Sequence, residues 1–260
     1  MGVATPTSGE NGERNKAWRP YGEYSCFLRT ICGESLVRLG RQGNNPRMDR
    51  DKDRFIWQAT DWPMWRFDLA ALADAMVAVG RAQGLLMGRL ADVGMALRDQ
   101  ASLAALTEDV VKTSEIEGER LNVTSVRSSI ARRLGVDIGA LMPVDRHVDG
   151  VVDMVLDATA NCHAPLSRER LFGWHAALFP TGYSGLSRIK VGAWRDDANG
   201  PMQVVSGPIG RQRVHFQAPP ADDLESETRR FLQWVNDAAD VHPLLKAGLA
   251  HLWFVTLHPF

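Results

Sequence analysis

The stretch "AGLAHLWFVTLHPF", residues 247–260, decides the fold. Leu245, Leu249, Leu252, Trp253, Val255 and Leu257 recur at helical spacing and cover more than one face, which predicts a buried central helix rather than a surface one. Pro243 suits its first turn. At the other end Pro259 cannot continue a helix, so His258 falls where helix gives way to loop. Spacing alone gives this histidine no chemistry. The chain has seven histidines, and a lone one beside an apolar helix is ordinarily a packing or surface residue.

The rest of the composition excludes several classes. Lys and Arg number 30 against 31 Asp and Glu, for a net charge of −1, so no global field draws the chain to nucleic acid or to an acidic membrane surface. "VRSSIARRLG" is the nearest approach to a basic recognition helix, and its arginines read as a solvated face. Apolar runs such as "GLAHLWFVTL" fall short of the roughly 20 residues of a bilayer span, and no basic-then-apolar segment opens the chain. We expect a cytoplasmic protein without membrane or nucleic-acid contacts. Cys26, Cys32 and Cys162 show neither disulfide pairing nor zinc spacing, and Cys162 suits a core or helix-end position. No metal-binding, acyl-transfer or P-loop motif occurs.

Upstream, the chain divides into three parts. Residues 1–52 are rich in Gly, Asn, Pro and charge without apolar period, which predicts disorder. Met48 stands just before the patterned sequence, so this part reads equally as a flexible tail or as translation from a start placed too early. Residues 53–140 read as an N-terminal helical domain. "FIWQATDWPMWRFD" places Trp57, Trp62 and Trp65 with two phenylalanines around a proline turn, an arm suited to docking on a helical body. Asp68 caps a long helix or helical pair reaching about residue 98; a second helix covers about 101–117, and Thr124 caps a third. In 141–260 helices are expected at 146–161, after Ser167, after a capping box of Asp222 and Glu225, and at the chain's end. One β-hairpin interrupts them at about 202–217, where "MQVV" and "RVHFQ" flank a Gly-Pro-Gly turn region. A lone two-stranded ribbon is marginally stable, so it reads equally as an ordinary surface hairpin or as an edge offered to a partner. The expected class is mainly α with one hairpin.

Taken together, these segments resemble the Fic family. "LHPF" resembles the opening of its motif His-x-Phe-x-(Asp/Glu)-Gly-Asn-Gly-Arg-x-x-Arg, with His258 and Phe260 at the first two fixed positions. "KVGAWRDD", "VVSG…RVHFQAPP" and "RRFLQWVN" resemble the segment, flap and helix preceding that motif. "KTSEIEGERL" resembles the inhibitory pattern (Ser/Thr)-x-x-x-Glu-(Gly/Asn) through Thr113, Glu117 and Gly118; by itself it reads equally as a helix end closed by glycine. The resemblance covers about 200 residues and implies an incomplete Fic-type helical bundle after a small helical domain. It implies transfer of AMP from ATP, with Mg²⁺, to a hydroxyl side chain of a target protein. His258 is then the general base and Phe260 the loop's anchor, while Glu117 obstructs placement of the γ-phosphate. Met202, Gln203, Val204, Val205, Arg213, Val214, His215 and Phe216 form the flap that pairs with the target backbone. The magnesium-binding acid, the phosphate-cradling glycines and both arginines lie beyond Phe260, so no metal ligand is assigned. The expectation is therefore a Fic protein cut within its motif and inactive as it stands. The alternative is a non-enzymatic remnant acting as a protein-interaction module, and homo-oligomers are compatible with either reading.

Overall fold

In a computed structural model, the structure describes residues 55–91, 94–116, 118–184, 186–208, 211–237 and 240–260. The expected disorder of 1–52, with Cys26 and Cys32, lies outside the described residues. Side-chain acceptors at chain reversals set where the helices begin. Asp68 opens α1 (Leu69–Ala91), its Oδ1 accepting the N–H groups of Ala70 and Ala71 at 2.9 and 3.2 Å. Next comes α2 (Met95–Ile116), which starts earlier than expected because the chain turns at Gly94, whose carbonyl accepts from Leu97 and Arg98. The Arg98 guanidinium also donates to the Leu90 and Ala91 carbonyls and closes α1.

Asn122 rather than Thr124 caps α3 (Val123–Leu134): Asn122 is the residue still in extended backbone, and its Oδ1 accepts the Ser125 N–H at 3.0 Å. Gly135, at φ 68°, ends that helix. Asp145 caps α4 (Arg146–Ala160) and Ser167 caps α5 (Arg168–Leu178). Helix α6 (Leu224–Asp237) lacks the expected capping box; Asp222 lies instead inside a 3₁₀ turn, Ala221–Asp223, opened by Pro220. Pro243 begins α7 (Pro243–Leu257) as expected. Cys162 follows α4 and is exposed.

Two apolar clusters organise the helices from α2 to α7. Leu103 and Val110 of α2, Val126 and Ile130 of α3, and Val148 and Val152 of α4 form the first. Leu224 and Phe231 of α6 with Trp253 and Leu257 of α7 form the second. The tryptophan arm completes the second cluster as expected of a docking segment: Trp62 and Trp65 set their rings 5.8 and 6.0 Å from Trp253, and Trp62 Nε1 donates to Glu227 Oε2 at 2.9 Å. Helix α5 lies on α4 and links the halves. Gly150 makes the close approach possible, because its missing Cβ would overlap the Ala177 carbonyl.

Two readings of the sequence change here. Helix α7 buries only Trp253, Thr256 and Leu257; Leu245, Leu249 and Leu252 stay partly exposed, because its principal helical neighbour is α6. Helix α1, at 23 residues and mean hydropathy 1.3 in its most apolar window, does have the length and composition of a membrane span. The apolar runs looked shorter because Asp74, Arg81 and Arg89 interrupt them; all of its residues lie outside the buried core.

The strands form two separate antiparallel pairs. The expected hairpin is β3 (Gln203–Ser206) with β4 (Arg213–Gln217), and a two-residue ribbon, β1 (Tyr183–Ser184) with β2 (Ser187–Arg188), precedes it. Two residues are too few to leave an alternation in the sequence. The protein is thus mainly helical, with a small strand pair set beside the end of α7.

Candidate functional site

Helix α7 ends in a strained turn. His258 is its C-cap at φ 43° and ψ 63°, the single non-glycine residue with positive φ among the described residues. A side chain in this left-handed region costs on the order of 1–3 kcal/mol and persists where its surroundings over-determine it. Here Arg195 does so. Its Nε donates to the His258 carbonyl at 2.6 Å, its Nη2 to the Leu257 carbonyl at 3.4 Å, and its backbone N–H to the Pro259 carbonyl at 2.9 Å.

Phe260 then turns inward. Its ring stacks on His175 of α5 at 4.1 Å and 23°, with Trp194, Phe172 and Phe254 at 5.3, 6.2 and 6.2 Å. His175 is 7% exposed and accepts the Gly192 N–H at Nδ1 over 3.3 Å. One histidine therefore steadies both the loop after α7 and the turn leading to Arg195.

The hairpin brings the second component. Its register pairs Gln203 with Gln217, Val204 with Phe216, Val205 with Val214 and Ser206 with Arg213, so His215 is the extra residue of a bulge. A bulge re-aims the side chains around it. His215 turns to Ser206, Nε2 to Oγ 2.6 Å, while the Phe216 ring lies 6.1 Å from the His258 imidazole and 5.5 Å from Phe55. Met202 closes the ladder by accepting the Ala218 N–H at 3.0 Å. On β4 the Gln217 carbonyl accepts Trp57 Nε1 at 2.6 Å, while β3 pairs with no further strand among the described residues.

Electrostatics favour a neutral His258. Burial pushes its imidazole below the usual 6.5, the nearby Arg195 charge adds to this, and a hydrogen bond with the Val255 backbone opposes it. His175 is also held below its ordinary value by burial. At neutral pH His258 therefore has a nitrogen lone pair for accepting a proton.

The inhibitory motif is described in part. Thr113 is exposed on α2. Gly118, at φ 83°, closes that helix with paired bonds, Gly118 N–H to Glu115 O at 3.0 Å and Glu119 N–H to Ser114 O at 2.8 Å. Glu117 lies outside the described residues. Helix α2 packs on α3 and α4. The structure thus joins His258, Phe260 and the hairpin in one place. Sequence reasoning missed His175, a mid-helix histidine in "FGWHAALF" with no periodic cue, and the clamp made by Arg195, whose segment was singled out without this role.

Residues 165–260 match the model of the Fic/DOC family. Residues 55–136 match a domain of unknown function (DUF4172). A crystal structure of a Fic family protein from Desulfovibrio desulfuricans G20 is similar, at 18% identity and a TM-score of 0.44 over 75% of this chain. The match covers 54% of that protein, so the chain spans about half its length. No curated protein matches the chain.

Proposed function

We propose that the site activates a hydroxyl on a target protein for AMP transfer, with His258 as general base and the hairpin as the strand that aligns the acceptor. The observation that carries this reading is the placement of a depressed, part-buried imidazole beside Phe216 of a ribbon whose β3 edge pairs with no further strand among the described residues. A target segment added along that edge gains main-chain hydrogen bonds independent of its sequence, and its hydroxyl is held at the end of α7. His258 takes the hydroxyl proton as the oxygen attacks the α-phosphorus of ATP, and the bond from that phosphorus to the β-phosphate breaks, so that pyrophosphate leaves. Such a base contributes typically about 10²–10⁴ in rate.

ATP and Mg²⁺ are the donor and metal that the Fic/DOC match suggests. The residues described here do not form their cradle: no group of three ligating side chains that could hold a metal occurs among them. No step through the metal is assigned. In the family pattern those groups follow the position of Phe260. Glu117 is proposed as the inhibitory acid on the strength of its motif.

The test uses a polypeptide continued past Phe260 through the acid, Gly-Asn-Gly and Arg positions. With radiolabelled ATP and Mg²⁺ it should label protein hydroxyls. His258→Ala should reduce labelling by about 10²–10⁴, and Glu117→Gly should raise it. Labelling indifferent to His258 would remove the histidine from the chemistry.

A further inference from the structure

Arg195 binds two pieces of chain that the fold brings together from a distance. Its Nη2 donates to the Pro219 carbonyl at 2.5 Å, two residues beyond β4, while its Nε holds the His258 carbonyl at 2.6 Å. Asp197 fixes the remaining arm, taking Nη1 at 2.7 Å on Oδ1 and the Ala221 N–H at 2.8 Å on Oδ2. The Arg195 side chain is 9% exposed. A guanidinium so far from water is tolerated only when its fork of donors is matched, as here by three carbonyls and a carboxylate. This differs from the surface ion pairs elsewhere in the chain, such as Lys190 with Asp196, which cross no such junction.

We infer that Arg195 is a positioning residue that locks the root of the hairpin to the base-bearing end of α7, so that a strand added to the hairpin also fixes His258. This rests on the proposed reading of His258 and the hairpin. The physical consequence is shared opening. If the clamp releases, Pro219 and the hairpin root lose their tether, and the left-handed His258 loses the carbonyl contacts that offset its strain. Lysine in this place keeps the charge, but its single ammonium cannot span carbonyls on both segments.

Hydrogen exchange and histidine-selective NMR on the full 260-residue chain test this. Arg195→Lys should raise exchange at least tenfold in both 213–218 and 254–260, with Leu103, Val126 and Val152 unchanged. His258 should titrate closer to its ordinary value, and Arg195→Gln, which also removes the charge, should move it further. Exchange raised in one segment alone, or evenly through the chain, or an unmoved His258 titration would overturn the inference. A measurement without mutation covers the case in which the variants do not fold. In the wild-type chain the Arg195 Nε–H should open with the same free energy as the Ala218 and His258 amides, and unequal openings overturn the inference equally. If His258 is not the base, AMP transfer survives its replacement while these exchange results stand, so the two readings fail separately.

Discussion

Gly150→Ala offers a stringent check of how the halves of the protein are joined. A Cβ at Gly150 of α4 would overlap the Ala177 oxygen of α5 and come 2.7 Å from its carbon and 3.4 Å from its Cα. The obstacle is backbone, which cannot rotate aside, so the two helices must part by on the order of 1 Å. Overpacking of this kind costs typically about 1–3 kcal/mol. We expect the upper end, about 3 kcal/mol, because the methyl group meets a carbonyl in a helix. For a domain of this size that lowers the melting temperature by about 6–12 °C. Gly173→Ala on α5 is the control: nothing lies within 4 Å of its Cβ position. An exposed helical glycine gains about 0.5–1 kcal/mol on becoming alanine, so this change should raise the melting temperature slightly. Scanning calorimetry of the two variants decides the matter. Equal shifts, or a Gly150→Ala chain melting within 1 °C of wild type, would refute the α4–α5 packing on which the placement of His175 depends.

Other expectations follow from the same structure. Because burial holds His175 and His258 below the ordinary 6.5, the unfolded chain takes up these protons first. Their contribution to stability is whole above about pH 6.5 and is lost as the pH falls through the folded values, at no more than about 1.4 kcal/mol per pH unit for each group. Urea melts between pH 7.5 and 5 should show this slope, and His258→Gln should lessen it; an unchanged slope would contradict the assignment. Trp253→Ala, at a residue 2% exposed among Trp62, Trp65, Trp234 and Phe231, should cost about 3–5 kcal/mol in chemical denaturation. Phe216→Ala should weaken target labelling by an extended polypeptide, whereas Val77→Ala on the exposed face of α1 should not; equal effects would separate the hairpin from catalysis.

The parts legible in the sequence were those with local chemistry. Asp68, Ser167 and Pro243 marked helix starts because capping acceptors and proline act within a turn of themselves. "MQVV" and "RVHFQ" showed strand character, and Pro259 fixed the end of α7. What escaped depends on distant partners or on choices between near-equal neighbours. Asn122 and Thr124 are both competent caps, and only the backbone angle of Asn122 separates them. The bulge at His215 breaks the alternation that a strand pattern assumes, so the facing of Phe216 toward His258 could not be read. His175 gains its meaning from a phenylalanine 85 positions later, and Arg195 from carbonyls on two remote segments. The exposure of α7 likewise depends on which helices lie beside it rather than on its own apolar period.

The most direct test of the central claim is labelled-AMP transfer by a polypeptide that continues past Phe260 through the rest of the motif, compared with its His258→Ala form. The account predicts magnesium-dependent labelling of protein hydroxyls, reduced by about 10²–10⁴ in His258→Ala. Labelling of equal rate with and without the His258 imidazole would contradict it.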